Sequence, residues 1–320
     1  MRSCHLVRNV ARQVRHLLIV LFIVTVGTFL LLDFLPGDPA AALLGETAQP
    51  EQIEAVRDEL GLDEPILTRY AKWIGGVVQG DFGRSFRTNQ PVLDNLANRV
   101  PVSLELMFLA QVFALALAIP LGIYTAYRPG RPFDQITMTL GFGLIAVAPF
   151  ILALLLILLF AGWLDLLPAT GFVRWSDGPL GNLRSLILPT LTLGLSQVAI
   201  IYHQLLRSDT IATLQADHVL MAKSKGLPTW HILVRHALRP SSFSLVTLTG
   251  VNVGRLIGGS VIVEVIFGIP GIGQMLVQSI YNRDFIVLQG ALLFTASAYV
   301  IVNMLVDLMY AFLDPRVQHG

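Results

Sequence analysis

Residues 101–127 read PVSLELMFLAQVFALALAIPLGIYTAY, and this stretch decides the fold class. It exceeds the roughly 20 mostly apolar residues that a helix needs to cross a bilayer. Five further apolar stretches lie at residues 17–35, 133–161, 186–206, 243–266 and 287–313. Because these runs are continuous and do not alternate with polar residues, they predict helices and not a β-barrel. The sequence therefore predicts an all-α integral membrane protein with six transmembrane helices.

The composition of the whole chain agrees with a membrane location. Of the 320 residues, 54% are hydrophobic and 13% are charged, and the mean hydropathy is +0.67. Soluble domains carry about 25% charged residues, so the composition excludes an ordinary soluble enzyme and a nucleic-acid-binding protein with a basic surface. The single cysteine, Cys4, excludes a disulfide framework. No cluster of Cys and His has the spacing of metal ligands, and we expect no metal site.

The basic residues predict the orientation of the chain in the membrane. Four arginines precede the first apolar stretch, and more bases lie in the loops after the second and fourth stretches, namely Arg128, Arg131, Arg207, Lys223, Lys225, Arg235 and Arg239. Loops rich in Lys and Arg remain in the cytoplasm, so both termini are expected there. The first stretch is longer than the apolar region of a signal peptide, about 7–15 residues, and we interpret it as a retained anchor.

These assignments divide the chain into four parts. Residues 1–35 form the cytoplasmic N-terminus and the first transmembrane helix, and residues 36–100 form an extracytoplasmic segment. Residues 101–313 form a core of five transmembrane helices with a cytoplasmic loop at 207–242, and residues 314–320 form the cytoplasmic C-terminus. In the external segment, helical spacing predicts helices at 51–60 and 66–78; the second has one apolar face, formed by Tyr70, Trp73, Ile74 and Val77.

The cytoplasmic loop contains two short helical patterns, DHVLMAKSKGLP at residues 217–228 and TWHILVRHALRP at residues 229–240. Asp217 and Thr229 are expected to cap these helices, and Gly226 to end the first one in a left-handed conformation. Helical spacing predicts an apolar stripe on the second helix, formed by Trp230, Leu233, Val234, Ala237 and Leu238. Two short helices would form a rigid knob, suited either to resting on anionic lipid or to docking a soluble partner.

Residues 222–227 and 235–239 of this loop resemble the EAA coupling loop of bacterial ABC-importer permeases, specifically those of the dipeptide/oligopeptide/nickel family. His218, Leu220 and Pro240 depart from the Tyr, Arg and Asn that are usual in that family. Further motifs extend the resemblance nearly end to end in the family's order: LGLDEP at 60–65, GDFGRS at 80–85, VEVIFGIPGIG at 263–273, NRDF at 282–285 and LDPR at 313–316. Several motifs in order are a specific signal.

The resemblance implies the type I ABC importer (MetI-like) permease fold, in a multi-pass subunit of the bacterial inner membrane that imports peptides. It implies no cofactor in this chain: ATP and Mg are bound by two cytoplasmic ATPase subunits. The other implied partners are a second homologous permease subunit, forming a heterodimer, an extracytoplasmic substrate-binding protein and membrane lipid. The implied ATPase-coupling residues are Asp217, Ala222, Lys223, Lys225, Gly226, Leu227, Arg235 and His236. Nickel, a metal chelate and glutathione are alternative substrates.

Polar residues within the predicted spans are candidates for the translocation path: Arg255, Asn252, Glu264, Asn303 and Asp307. A charge in the middle of a span costs at least about 2.5 kcal/mol, so Arg255 is expected to face the pathway or a partner helix. It would either pair with the companion permease or line the path for a carboxylate-bearing substrate. Asn303 and Asp307 lie one helical turn apart and also suit packing between helices. A short helix at 272–280 is either an external gate element or a simple loop closure.

Two other classes of protein are disfavoured by missing motifs. A membrane-embedded enzyme would need a nucleophile or metal motif, and neither Gly-x-Ser-x-Gly nor His-Glu-x-x-His occurs. A self-sufficient secondary transporter usually has internal repeats, and none is evident. His231 and His236 lack the i,i+3 or i,i+4 spacing of a helical metal pair. The chain also lacks a phosphate-loop motif, which agrees with nucleotide chemistry on another chain.

Overall fold

The computed structural model of the chain describes residues 15, 17–30, 49–59, 63–85 and 87–313. The elements are α1 (Leu17–Leu30), α2 (Pro50–Glu59), α3 (Ile66–Val78), α4 (Val92–Tyr127), α5 (Pro132–Ala146), α6 (Pro149–Ile157), α7 (Pro179–Leu193), α8 (Ala199–Leu214), α9 (Asp217–Ser224), α10 (Thr229–His231), α11 (Arg239–Phe267), α12 (Ile272–Tyr281) and α13 (Phe285–Leu313). Three further segments are π-helical: Leu158–Trp163, Gly194–Val198 and Ile232–Leu238. The predicted all-α class is confirmed.

Candidate membrane spans are present in the part of the chain that the structure describes. Val92–Tyr127, Thr229–Phe267 and Phe285–Val306 are each long and apolar enough to cross a bilayer. Two bent pairs also qualify if each pair is one span, namely Pro132–Ala146 with Pro149–Trp163, and Pro179–Ser196 with Ala199–Leu214. Helix α1 is apolar but shorter, and residues 31–35 of the predicted first span lie outside the described residues. The count of six spans stays a prediction.

The predicted third span is interrupted in the structure. Helix α5 ends at Ala146, and α6 begins at Pro149 at an angle of 105° to it. Val147 and Ala148 between them are extended, with ψ values of 124° and 142°. Proline disfavours the helical conformation in the residue before it and cannot donate a hydrogen bond to the preceding turn. The apolar run therefore contains a sharp bend at Pro149.

The chain divides into two compact units, of which the first comprises residues 1–102 and 270–305. In this unit α3 is half-buried on its predicted apolar face: the Tyr70 hydroxyl lies 2.8 Å from the Thr25 hydroxyl, and the rings of Tyr70 and Trp73 lie 5.4 and 5.8 Å from that of Phe29. A second apolar cluster joins the start of α4 to α12 and α13. Its buried members are Val92, Leu96, Met275, Leu276, Val287 and Ala291.

The second unit comprises residues 103–269 and 306–320 and contains α5 to α11 with most of α4. Two of its helical segments approach each other closely at a glycine. A Cβ on Gly194 would lie 2.5 Å from Cδ1 of Phe113, so only glycine fits between α4 and the π-helical segment after α7. At the end of α11, Gly268 adopts the left-handed conformation with φ +66°, a conformation that commonly ends helices.

Candidate functional site

The cytoplasmic loop folds around a small apolar core of its own. Val219, Ala222 and Ile232 are buried together, and Leu214 and Leu227 pack against them. These residues come from the end of α8, from α9 and from the helical segment that follows. This core packs the two helical parts of the loop against each other. We call residues 217–238 the knob.

Gly226 ends the first helix of the knob as predicted. Its φ is +74°, in the left-handed region, and its N–H donates to the Lys223 carbonyl oxygen at 2.9 Å. No atom lies within 4 Å of the position that a Cβ would occupy, so the requirement for glycine is conformational and not steric. The chain can therefore reverse direction between α9 and α10 without strain.

The predicted helix caps are wrong. Asp217 and Thr229 each lie in the first turn of their helices, and the N-cap positions belong to Ala216 and Pro228. Neither helix has a side-chain capping bond. Asp217 instead places its carboxylate beside the positive end of the helix dipole of α9, a favourable position for an acid. Each helix thus begins one residue earlier than the capping pattern indicated.

The second helical pattern is also different from the prediction. It is not a short separate helix, because it runs on into α11 as one helical stretch of 39 residues. Residues 232–238 are π-helical, with hydrogen bonds from i to i+5, and Ile232 and Ala237 accordingly share the buried face. Of the predicted apolar stripe, Ala237 is buried, whereas Trp230 and Val234 are 67% and 54% exposed.

The predicted coupling residues separate into two groups. Three of them shape the knob: Ala222 is in its core, Leu227 packs against that core, and Gly226 forms the turn. The others lie on its surface, where Asp217, Lys223, Lys225 and Arg235 are exposed and His236 is half-buried. Beside them the apolar side chains of Leu220, Met221, Trp230 and Val234 are exposed. The predicted apolar stripe included Trp230 and Val234, whereas sequence reasoning missed Leu220 and Met221. Exposed apolar side chains among polar ones are typical of an interaction surface.

The five candidates for the translocation path have different environments. Asn252 and Glu264 are 3% and 0% exposed in the second unit, and Glu264 Oε1 accepts a hydrogen bond from the Ser103 hydroxyl at 2.8 Å. Arg255 is exposed on α11, and Asn303 is half-buried on α13 in the first unit. The side chain of Asp307 lies outside the described residues. In the second unit, therefore, only Arg255 among the described candidates presents a charge at the surface of a candidate span.

A bidentate ion pair in the second unit was not predicted. Arg207 Nε and Nη2 donate to Asp134 Oδ1 and Oδ2, each at 2.7 Å, and the Gly130 N–H donates to Oδ2 at 2.8 Å. Asp134 is 4% exposed. A charge inside an apolar stretch requires a partner, so Asp134 was a signal that this pair exists. The partners lie 73 positions apart in the sequence, so the sequence did not indicate which base would pair with Asp134.

Two further side-chain contacts connect α4 to α8. Gln111 Nε2 donates to the Tyr202 hydroxyl at 2.6 Å, and His203 Nε2 lies 3.1 Å from the Thr125 hydroxyl. All four side chains are buried. In the parts of the chain that the structure describes, no three His, Cys, Asp or Glu side chains are placed to hold a metal ion.

The apolar helices define a multi-pass membrane protein. Residues 118–319 match the family "Binding-protein-dependent transport system inner membrane component", and residues 6–107 match the N-terminal membrane component of such systems. The chain therefore belongs to the family of binding-protein-dependent transport system inner membrane components. It is an ABC transporter permease subunit of the inner membrane and not an enzyme, which confirms the predicted resemblance. Membership of this family implies a substrate-binding protein and an ATPase as partners.

Curated relatives match almost the whole chain. Over 310 residues, the chain is 39% identical to a putative peptide transport system permease protein of Brucella abortus (97% of this chain, 98% of the relative). It is 33% identical to a probable peptide ABC transporter permease protein of Sinorhizobium fredii (97% and 99%). It is 35% identical to the glutathione transport system permease protein of Escherichia coli K12 (97% and 98%).

Proposed function

We propose that this chain forms one half of a translocation pathway that imports peptides, and that its knob docks an ATPase subunit. The observation that carries the docking proposal is the knob itself. It has its own core, and it exposes apolar side chains, Trp230 and Met221 among them, next to the bases Lys223 and Arg235. A surface of this composition suits a protein partner, because tryptophan and arginine are among the side chains that contribute most at interfaces.

The coupling mechanism follows from the continuity of the helix after Gly226. The segment that begins at Thr229 runs without a break through α11, which holds Asn252, Arg255 and Glu264. If an ATPase displaced the knob, the continuous helix would therefore transmit that displacement to the candidate path residues. Nucleotide binding would favour one ATPase arrangement, and through the knob one arrangement of the spans.

The assembly that we propose contains two permease subunits as a heterodimer, two cytoplasmic ATPases that bind ATP and Mg, and an external binding protein. The chain contributes the parts predicted from its sequence: an anchor at 1–35, an external segment at 36–100, and a core at 101–313 with its coupling loop at 207–242. Both termini lie in the cytoplasm in this arrangement. The basic residues of the loops support this orientation, and the missing phosphate-loop motif supports an ATPase on another chain.

The substrate class rests on the relatives. Two are named for peptide transport, and a third, at 35% identity, is named for glutathione, which is itself a tripeptide. Short peptides carry a free carboxylate. The exposed guanidinium of Arg255 on α11 suits a group of that charge. Glutathione is the second candidate, and nickel or a metal chelate would need ligands other than an arginine.

A cross-linking experiment tests the docking proposal. The chain has one cysteine, so Cys4→Ser gives a background into which Met221→Cys places a single thiol on the knob. In the reconstituted complex, a bifunctional maleimide is expected to join this thiol to the ATPase. Trp230→Ala is expected to lower substrate-stimulated ATP hydrolysis and peptide uptake. The matched control is Trp163→Ala, which removes another exposed tryptophan, outside the loop, and is expected to leave hydrolysis unchanged.

Two results would contradict the docking proposal. If Met221→Cys gives no cross-link to the ATPase, and Trp230→Ala hydrolyses ATP at the wild-type rate, the knob rests on lipid instead. Uptake of a labelled tripeptide, of glutathione and of nickel by the same vesicles distinguishes the substrates. Uptake of nickel without uptake of any peptide would overturn the peptide assignment.

A further inference from the structure

Three exposed arginines in the first unit are not used by the proposed mechanism. Arg84 and Arg87 lie in the segment between α3 and α4, and Arg283 lies in the turn between α12 and α13. All three belong to the part of the chain that the predicted topology places outside the cell membrane. We call these residues, together with the neighbouring Tyr281, the arginine patch. Tyr281 is 82% exposed.

A buried hydrogen bond brings the two segments together. The Ser85 hydroxyl donates to Asp284 Oδ2 across 199 residues of sequence, and these two residues are 3% and 6% exposed. Arg84 precedes Ser85 in the chain, and Arg283 precedes Asp284. The backbone N–H of Arg87 donates to the Ser85 hydroxyl oxygen at 3.2 Å. The backbones of all three arginines are therefore anchored at one buried contact.

The local backbone is well defined. Arg84 forms an isolated antiparallel bridge with Pro91, and Gly83, at φ +84°, makes the turn before it. Arg283 adopts the left-handed region with φ +54°, which is uncommon for a residue with a side chain. Such conformations persist where surrounding contacts hold them and occur often at functional sites. The contact between Ser85 and Asp284 next to it provides this support.

Exposed bases outnumber exposed acids among the residues named at the patch. Of the nearby acids, Asp284 is buried in its bond to Ser85, and Asp81 Oδ1 accepts the Gly83 N–H at 2.9 Å. Asp94 is exposed on the first turn of α4. The side chains of the three arginines are exposed beside the exposed carboxylates of Asp81 and Asp94, whereas the carboxylate of Asp284 is buried below them. The other described residues between 87 and 90 are exposed and polar, as in the rim of a protein interface.

We propose that the arginine patch is the docking surface for a carboxylate-rich face of the external substrate-binding protein. The inference rests on the proposed function, because it requires the patch to lie outside. Arginine binds carboxylates through two parallel hydrogen bonds, and arginine and tyrosine are the side chains that contribute most at the centres of interfaces. A family of binding-protein-dependent transporters requires such a soluble partner on this side of the membrane.

Association kinetics of the whole complex test the inference. The complex is reconstituted in nanodiscs of neutral phosphatidylcholine, and the probe is the binding protein that supports uptake by the same complex. Replacing all three arginines by glutamine is expected to lower the association rate about tenfold at about 50 mM salt, because charges at an interface act mainly on the rate of encounter. At about 500 mM salt the difference is expected to shrink to about twofold or less, because the charges are screened.

Two further variants separate charge from folding. Replacing the three arginines by lysine keeps the charge and is expected to keep most of the association rate, with faster dissociation because the bidentate bonds are lost. Lys72→Gln removes an external cation that already pairs with Glu64, and it is expected to associate at the wild-type rate. Basal ATP hydrolysis by each reconstituted variant shows that the complex has assembled.

The possible results separate this inference from the proposed function. A wild-type complex that neither binds a substrate-binding protein nor imports peptide refutes the proposed function itself. A wild-type complex that does both, next to a glutamine variant that associates at the wild-type rate, overturns only the arginine patch. If the glutamine variant loses binding only in nanodiscs that contain anionic phosphatidylglycerol, the arginines contact lipid headgroups, and the inference is again overturned.

Discussion

Replacing Arg207 with methionine would leave the carboxylate of Asp134 buried without its cation. The arginine supplies two of the three hydrogen bonds that Asp134 accepts, both at 2.7 Å, and the Gly130 N–H supplies the third. Asp134 is 4% exposed, so water cannot replace the lost donors. Methionine retains most of the apolar stem of arginine, and the packing around α8 is therefore largely preserved. The loss of stability in Arg207→Met therefore reports mainly on the loss of the ion pair with Asp134.

The expected loss in the free energy of unfolding follows from the number of hydrogen bonds lost and from the burial of Asp134. A hydrogen bond to a charged group is worth about 1.5–3 kcal/mol, so two lost bonds correspond to about 3–6 kcal/mol. Removing one partner of a buried ion pair typically costs about 3–5 kcal/mol. Because the bond from Gly130 remains, we expect Arg207→Met to lower the free energy of unfolding by about 3 kcal/mol, at the lower end of that range.

A double-mutant cycle measures the interaction. Asp134→Asn keeps an oxygen for the Gly130 N–H but leaves Arg207 uncompensated, and it should also destabilise the chain by about 3 kcal/mol. The double variant has neither charge and should lose only about 1 kcal/mol relative to the wild type, because replacing both partners is often nearly neutral.

The assay is unfolding of the purified chain in lipid–detergent micelles by increasing dodecyl sulfate, followed by tryptophan fluorescence. If the double variant loses as much stability as the two single variants together, Asp134 and Arg207 are not energetically coupled, and the reasoning fails.

Three other predictions concern glycines and the arginine of the candidate path. Gly226→Val forces a β-branched residue into φ +74°, with no steric contact involved; we expect normal insertion but roughly tenfold lower substrate-stimulated ATP hydrolysis, since the left-handed conformation costs about 1–2 kcal/mol. Normal stimulation in the reconstituted complex would refute this. Gly194→Ala places a Cβ 2.5 Å from Phe113 and should lower the free energy of unfolding by about 1–3 kcal/mol in the same micelle assay. Its control, Gly258→Ala, meets no atom within 4 Å and should not destabilise the chain. Arg255→Gln should lower peptide uptake by vesicles about tenfold, the value of one charged contact, with the same amount of assembled complex. Unchanged uptake would assign Arg255 to contacts with a partner helix.

Predictions from local sequence signals agree well with the structure. The spacing at 66–78 predicted α3 within its observed bounds, and Gly226 and Gly268 both occupy left-handed positions that end helices. The predicted helix at 272–280 is α12, one residue longer. These signals depend on the residue itself or on neighbours within one turn, so no knowledge of the remaining fold was needed.

The structure differs from the sequence prediction in the helix geometry of the knob. The apolar stripe of the knob was built on 3.6 residues per turn, and the π-helical segment at 232–238 brings Ile232 and Ala237 to the buried face instead. Trp230 and Val234 are exposed, and Trp230 is among the side chains that we propose for ATPase docking.

The sequence by itself determined the membrane class, the family and the turns, because apolar runs, ordered motifs and glycines act locally. Only the tertiary structure decided which distant polar residues meet. Asp134 pairs with Arg207 at a sequence separation of 73, and Ser85 bonds to Asp284 at a separation of 199. A buried charge or hydroxyl without a partner is costly, so the sequence indicated for Asp134 that a partner must exist. The identity of each partner depended on how the helices pack, and that is a property of the whole fold.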